Sequence, residues 1–438
     1  MANTESATSN PLLQLLRVAV DVKPNELRAL FLSFIYYFLI LSSYYVIRPI
    51  RDEFGAAGGV ENLSWLFTGT LVVMLIANTA FAALVARFTR RRFIPIAYRF
   101  LIANLLVFFI LLLLFPTRNI WIGRAFFVWT SVFNLFVLSV FWAFMVDVFN
   151  SEQGKRLFGF ISVGGTLGAI VGAAITATLV QKVGTLTLLL ISAALVELSA
   201  QCVRFFPSVF KQSDEPAKKS GEEKPVGGGI WAGIVHNVSS PYLLGISAYI
   251  LLYSITSTVL YFQQVGIAAG SFGDRLARTA FFAKVDLAVN ILTIFVQLFV
   301  TGRLLKWLGV GVTLAILPAL SVLGFASVGV VPTLTVLVLF LTLRRATNFA
   351  FARPARETLF TVVSREDKYK AKNFIDTIVY RTGDQIGAWT TPALSWLGLG
   401  LRGVSIVGVP MAALWLVISL WLGKQQARRA RQAAAASE

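Results

Sequence analysis

Apolar segments of about 20 residues recur along almost the whole chain, and this feature constrains the fold more than any other. A membrane-spanning helix needs roughly 20 apolar residues, whereas the strands of a membrane barrel are short and alternate apolar with polar residues. Of the 438 residues, 57% are hydrophobic and 14% are charged, against about a quarter charged in a soluble domain. The sequence therefore predicts an all-α polytopic membrane protein.

The apolar segments form two groups of six, separated by a charged, Gly- and Pro-rich linker at 207–240. This pattern predicts twelve transmembrane helices in two halves, 27–206 and 241–423. A cytoplasmic leader (1–26) and a basic cytoplasmic tail (424–438) flank them. The predicted helices are 27–50, 62–86, 93–115, 121–147, 157–181, 185–206, 241–265, 279–303, 309–330, 333–353, 373–397 and 403–423.

The formal net charge of +18 is explained by the positive-inside rule rather than by a nucleic-acid partner. With the N-terminus inside, the inward loops hold far more Lys and Arg than the outward loops. Both termini are therefore expected in the cytoplasm. We expect a multi-pass protein of the plasma membrane, which in bacteria is the inner membrane.

The sequence contains almost none of the residues that a metal site, a disulfide bond or His-based catalysis requires. Cys202 is the one cysteine, inside an apolar run, and His236 is the one histidine, in the linker. We find no nucleophile–base constellation either. The sequence predicts no metal site, no cofactor and no enzymatic activity.

The strongest functional signal is Arg344 followed by Arg345, directly after an apolar run. A charge at mid-bilayer costs several kcal/mol, so it is kept where it faces protein or a water-filled cavity. Adjacent residues point about 100° apart around a helix. We therefore expect one arginine to contact a solute and the other to pair with a carboxylate, Asp384 being the nearest candidate.

Further candidates for solute binding lie in the first and eleventh predicted helices. Arg48 and Arg51 are three apart and share a face, which suits bidentate binding of phosphate or carboxylate. The alternative, equally weighted, is the interfacial end of a helix with its aromatic belt. Arg381 and Asp384 are three apart and are expected to pair. The full set of substrate-binding candidates is Tyr44, Arg48, Arg51, Arg344, Arg345, Asn348, Arg381 and Asp384.

Lys284 and Asp286 are two apart near the start of the eighth predicted helix, so they do not share a face. Each is expected to pair with another helix, or one of them to couple a proton, and the structural pair is favoured. Asp376 is a third candidate for such coupling or pairing.

The two halves have the pattern of repeats. The junctions of helices 4–5 and 10–11 both read acid, apolar turn, polar loop, Lys, aromatic, then a Gly-bearing helix. Parallel halves with a site between them are one transporter architecture. Gly164, Gly168 and Gly172 favour tight packing inside the first half. A cytoplasmic gate of ion pairs between the halves is expected from Asp147, Lys155, Arg156, Arg356, Glu357, Lys370 and Lys372.

The chain resembles the ATP/ADP translocases of intracellular bacteria and plastids, a branch of the major facilitator superfamily. The resemblance covers most of the chain and is carried by three sets of residues. These are Arg48, Arg51 and Asp52; Phe141, Trp142, Lys155, Arg156 and Phe158; and Pro354, Arg356, Glu357, Lys370, Lys372, Asp376, Arg381 and Gly383.

The chain departs from that family at two places. The region of helix 4 has Asn134 and no carboxylate, and Asn348 stands where the family has a lysine. The resemblance thus implies the fold and an anionic cargo such as a nucleotide or phosphorylated metabolite, without strict ATP-for-ADP exchange. The expected protein is a secondary active transporter working by alternating access, as an antiporter or coupled to protons, with a monomer as the working assumption. A transporter of another organic solute and a non-transporting membrane scaffold or sensor are the alternatives.

Overall fold

The structure is a computed structural model that describes residues 22–23, 26–87, 90–116, 119–206, 240–363, 371–372 and 374–435. Every regular element in this part is helical, which confirms the all-α prediction. The predicted leader and linker lie almost entirely outside the described residues. The helices are α1 Leu27–Ala57, α2 Leu63–Arg87, α3 Arg90–Leu114, α4 Asn119–Val148, α5 Ser151–Arg204, α6 Pro241–Ser271, α7 Arg275–Val296, α8 Gly302–Val330, α9 Leu334–Thr347, α10 Arg353–Leu359, α11 Tyr380–Trp396 and α12 Leu401–Ala435.

Ten helical segments of the described part are long and apolar enough to cross a membrane. The longest, in α5, is divided at Gly184, where φ is 76°, a left-handed conformation that glycine adopts without a steric penalty. It therefore accounts for two predicted helices. The predicted helix 373–397 corresponds to a π-helical turn, Ile375–Val379, followed by α11. Each of the twelve predicted helices thus has a counterpart, although α12 continues into the predicted tail as far as Ala435.

π-helical turns interrupt three helical segments of the second unit that carry charged candidates. Gln297–Thr301 follows α7, Asn348–Ala352 follows α9, and Ile375–Val379 precedes α11. A π-turn leaves backbone carbonyls open to other donors. Gln297 Nε2 donates to Phe349 O at 3.1 Å, so two of these turns contact each other. Such turns occur often at functional sites.

The described residues divide into two compact units. The first contains the residues up to Arg51 and from Val73 to Phe206, and the second contains Asp52–Val72 and the residues from Ser240 onward. The division cuts through α1 and α2, so the tip of this first helical hairpin packs with the second unit. The predicted halves are consecutive stretches of the chain, so the prediction places the whole of α1 and α2 in the first half and does not assign this tip to the second unit.

In the first unit, α1 and α5 pack closely at two glycines of α5. A Cβ atom on Gly168 would stand 2.2 Å from the carbonyl oxygen of Phe38, and one on Gly172 would stand 2.3 Å from that of Ser42. Both glycines lie in α5 and both carbonyls in α1. The predicted tight packing of the glycine face inside the first half is therefore present.

The core of the second unit is aromatic at its centre. Trp415 of α12 is fully buried, and its ring lies 5.2 Å from that of Tyr249 and 5.9 Å from that of Tyr253, both on α6. This core places α6 at the middle of the unit, where it contacts the charged residues of α9 and α11.

Candidate functional site

Arg344 lies in the last turn of α9 and is buried, with 3% of the residue exposed. Its guanidinium donates hydrogen bonds to three hydroxyl oxygens of α6 and α8. Nε donates to Ser321 Oγ (3.1 Å), Nη1 to Ser257 Oγ (2.9 Å) and Nη2 to Thr256 Oγ1 (2.8 Å). Helix α6 can supply two of these acceptors because adjacent residues, Thr256 and Ser257, both carry hydroxyls.

Every polar partner of Arg344 in the described part of the chain is neutral, and no carboxylate there pairs with it. The rings of Tyr253 and Trp415 lie 5.5 and 5.8 Å from its guanidinium carbon. Neutral oxygens and aromatic faces stabilise a cation without cancelling its charge. Arg344 is therefore a buried source of positive potential.

Arg345 pairs with Asp286 of α7, with Nη2 and Oδ1 2.8 Å apart, and 17% and 3% of the two side chains are exposed. The expectation that one of the two arginines pairs with a carboxylate agrees with the structure. The named candidate, Asp384, is wrong, because α9 packs beside α7 rather than beside α11. The favoured expectation for Asp286, an ion pair with another helix, agrees with the structure.

Asp384 forms the expected pair with Arg381, with Nη1 and Oδ2 3.2 Å apart. Its other oxygen accepts hydrogen bonds from Ser254 (2.7 Å) and Thr258 (3.1 Å) of α6. The carboxylate is thus fixed between α6 and α11. The Arg381 side chain is 41% exposed and is therefore the accessible member of this pair.

Asn348 opens the π-turn after α9 and is buried, with 6% of the residue exposed. Its Nδ2 donates to the hydroxyl of Tyr253 at 2.8 Å. Tyr253 thus contacts both Asn348 and Arg344, and the structure brings these two candidates to one face of α6.

Lys284 differs from the other charged residues of these helices. Its side chain is exposed although the neighbouring Ala283, Val285 and Asp286 are buried. Among the described residues it has no ion-pair or hydrogen-bond partner. The expected pairing of Lys284 with another helix is therefore not found there.

The candidates of α1 in the first unit contact aromatic rings. The guanidinium carbon of Arg48 lies 5.5 Å from the centre of the Tyr45 ring, and that of Arg51 lies 4.0 Å from the Phe127 ring. Tyr44 packs edge-on against Tyr45. Both arginines are half-buried, so the structure is compatible with either of the two roles weighed for them.

Four of the predicted gate residues have partners inside their own units. Arg156 pairs with Glu26 at 3.0 Å. In the second unit, Lys372 pairs with Glu357. Ion pairs between the halves stay a prediction.

Arg356 lies 3.4 Å from Asp376 and 3.9 Å from Glu357, which places Asp376 in a charge pair. Asp147 is exposed. Lys370 and the side chain of Lys155 lie outside the described residues.

Sequence reasoning missed one cluster in the second unit. Glu53, at the tip of the first hairpin, is 4% exposed and receives Arg275 Nε and Nη2 at 2.9 and 3.0 Å and Arg278 Nη2 at 3.1 Å. A signal exists, because Asp52 and Glu53 are adjacent acids in a chain with only 21 acidic residues. Nothing in the sequence, however, indicates which basic residues they meet.

Comparison with known proteins places this geometry in context. The family model described as Major Facilitator Superfamily matches residues 29–369. The ADP,ATP carrier protein 2 of Chlamydia pneumoniae is 23% identical over an alignment of 226 residues, and the match covers 46% of this chain and 42% of that carrier. The match thus spans less than half the length of this relative.

Solved structures of several transporters share the fold. A POT family transporter in complex with 5-aminolevulinic acid aligns with a TM-score of 0.63 at 13% identity, covering 92% of this chain and 96% of that one. The nucleoside transporter NupG aligns with a TM-score of 0.58 at 13% identity, covering 91% and 98%. At such identities the likeness shows the fold alone.

Proposed function

The chain belongs to the Major Facilitator Superfamily, and from that membership we propose that it is a secondary transporter whose cargo is an anionic solute. Its fold and its structural relatives are those of transporters. The class of cargo follows from the charges of the second unit.

The observation that carries this proposal is the environment of Arg344, a buried guanidinium surrounded by neutral oxygens. Burying a charge without a counter-ion is expensive, so a chain selected for stability alone would replace it. A retained, uncompensated cation inside a membrane protein is typical of a solute or ion pathway. Its positive potential would attract an anion.

The charge balance of the surrounding helices supports the same cargo. Beyond the first turn of α7, and throughout α9 and α11, the basic residues are Lys284, Arg344, Arg345 and Arg381, and the acidic ones are Asp286 and Asp384. Arg345 with Asp286 and Arg381 with Asp384 form two ion pairs, each of which has no net charge. An excess of two positive charges remains, which a solute with two negative charges would balance.

A nucleotide or another phosphorylated metabolite is the finer proposal. The similarity to an ADP,ATP carrier favours it, and guanidinium groups suit phosphate because of their planar fork. Arg48, Arg51 and Tyr44 would serve as contacts from the first unit, and Asp286 or Asp376 would serve in coupling. Transport would proceed by alternating access in the plasma membrane, with both termini in the cytoplasm.

Uptake into proteoliposomes tests the proposal. The purified protein is reconstituted and offered ATP, ADP, a sugar phosphate, an uncharged nucleoside and a dipeptide, with liposomes either empty or preloaded with the same solute. We expect uptake of a phosphorylated solute. Uptake that requires preloading would identify exchange, and uptake that follows a pH gradient would identify proton coupling.

The matched variants are Arg344→Gln and Arg402→Gln, since Arg402 is exposed in the first turn of α12. Arg344→Gln should abolish anion uptake while the protein remains folded, and Arg402→Gln should transport like the parent. Uptake of the uncharged nucleoside or the dipeptide alone would contradict an anionic cargo. A membrane scaffold would carry none of the five solutes.

A further inference from the structure

Three cations of the second unit lie deep in α7 and α9, and only one of them is exposed. Arg344 is buried among hydroxyls, and Arg345 is engaged with Asp286. Lys284 is exposed and has no partner among the described residues. The arginines, which the sequence singles out, are thus already bound inside the protein.

Lys284 lies inside the apolar segment of α7 rather than at one of its ends. The apolar segment that contains it, Arg275–Thr301, has 27 residues, which is about 40 Å of helix at 1.5 Å per residue. Lys284 lies about 13 Å from the Arg275 end and further from the other. A lysine has a four-carbon stem, which is too short to bring its ammonium back to either end.

Lys284 therefore needs polar surroundings. An ammonium facing hydrocarbon is costly, so a charge at such a position is kept where it faces protein or a water-filled cavity. No carboxylate of the described residues pairs with this ammonium. Asp286, two residues on, points about 160° away around the helix and holds Arg345. Lys284 is exposed at the surface of the protein, so no other described side chain covers its ammonium.

We propose that Lys284 lines a water-filled part of the solute pathway and binds the anionic group of the cargo directly, with Arg344 supplying a fixed positive potential behind it. This rests on the proposed function, since it names a contact of the same transported anion. The chemical class is a phosphate or carboxylate group. The surface beside the ammonium is apolar, because Ala288 and Ile291 are exposed on the same face.

Water access is tested by cysteine labelling. The chain has one cysteine, Cys202, which is buried, so Cys202→Ser gives a background without thiols. Lys284→Cys is compared with Leu323→Cys, a control position in α8 that is 66% exposed and apolar. A permanently charged, membrane-impermeant methanethiosulfonate should modify position 284 and leave position 323 unmodified. Equal lack of reaction at both positions would overturn the proposal.

Anion contact is tested on the unaltered protein. In native membranes, a water-soluble acylating reagent such as sulfosuccinimidyl acetate is applied with and without inorganic pyrophosphate, and the modification of Lys284 is followed by peptide mass spectrometry. Pyrophosphate should slow the acylation of Lys284 about tenfold, the effect of one charge-assisted contact. Acylation at the same rate in its presence would refute a direct contact.

Uptake separates a failure of this inference from a failure of the proposed function. Lys284→Gln should weaken the apparent affinity for a transported anion about tenfold, and Lys284→Arg should restore most of it. Full anion uptake by Lys284→Gln would show that the residue assignment is wrong and the cargo class right. Labelling at position 284 without anion uptake by the parent protein would show that the cargo class is wrong.

Discussion

Helix α5 lies against α1 in the first unit, and α11 lies against α6 in the second, with glycine at both contacts. A Cβ atom on Gly168 would stand 2.2 Å from the Phe38 carbonyl oxygen, and one on Gly387 would stand 2.8 Å from that of Ile255. These helices occupy the fifth and first positions of each predicted half. Their equivalent packing agrees with two halves built as repeats.

The two contacts differ in charge. Along α1 and α5 the cross-helix hydrogen bonds come from hydroxyls, such as Ser42 Oγ to Gly168 O at 3.1 Å and Thr176 Oγ1 to Val46 O at 2.9 Å. Along α6 and α11, hydroxyls hold the carboxylate of Asp384 as well. The shared geometry therefore belongs to the fold, whereas the buried carboxylate of Asp384 at the contact of α6 and α11 has no equivalent among these α1–α5 hydrogen bonds and is where we look for function.

Breaking the charge pair of α7 and α9 should have the largest effect. Arg345→Ala leaves the buried carboxylate of Asp286 without its guanidinium, and removing one partner of a buried pair costs about 3–5 kcal/mol. We expect a large loss of folded protein, measured as a lower Tm in detergent. Because the double variant Arg345→Ala/Asp286→Ala buries no lone charge, it should recover much of this loss. Equal loss in the single and double variants would contradict a stabilising pair.

Replacing a glycine at each helix contact by valine tests whether both units depend on the same close helix packing. Gly168→Val should destabilise the first unit by about 3 kcal/mol, because overpacking displaces the backbone. Gly387→Val should act similarly on the second unit. Gly159→Val and Gly400→Val are the controls, since neither position has an atom within 4 Å of the added Cβ. If either Gly168→Val or Gly387→Val had the Tm of the parent protein, the two glycine contacts would not be equivalent.

The tip of the first hairpin is held by a buried carboxylate, Glu53. Glu53→Gln weakens the contacts to Arg275 and Arg278 and leaves two neighbouring guanidinium groups less compensated. We expect a loss of about 2 kcal/mol and faster proteolysis at the tip. Glu61→Gln is the matched control, because Glu61 is exposed and an exposed carboxylate contributes little. Similar proteolysis of both variants would argue against a holding role for Glu53.

The fold was predictable because its signals are local. Apolar length predicts each helix, and the spacing of Gly164, Gly168 and Gly172 predicts a tight contact without naming its partner. Side-chain partners are not local, because they depend on which helices become neighbours. The spacing of Arg381 and Asp384 sufficed for their pair within one helix, whereas the partner of Arg345 was assigned to α11 and lies on α7. The exposure of Lys284, on which its proposed role rests, also depends on the assembled fold.

The smallest expected effect concerns Glu26, a charged residue of the first unit at the end of the contact between α1 and α5. Glu26 precedes α1 and accepts hydrogen bonds from Gln153 Nε2 at 2.9 Å and Arg156 Nη2 at 3.0 Å. Burial raises the pKa of this carboxyl, but the hydrogen bonds from the Lys23 backbone, Gln153 and Arg156 outweigh burial and hold the pKa below its ordinary value of 4.5.

A lowered pKa in the folded state means that the unfolded chain binds the proton more readily. The stability from Glu26 is therefore fully present above pH 4.5 and is lost as the pH falls through the pKa of the folded state. Thermal unfolding between pH 7 and pH 3.5 measures this loss. Glu26→Gln should lower stability by about 1 kcal/mol at pH 7 and show a smaller decline on acidification than the parent. Parallel pH profiles for parent and variant would show that Glu26 does not link the start of α1 to α5.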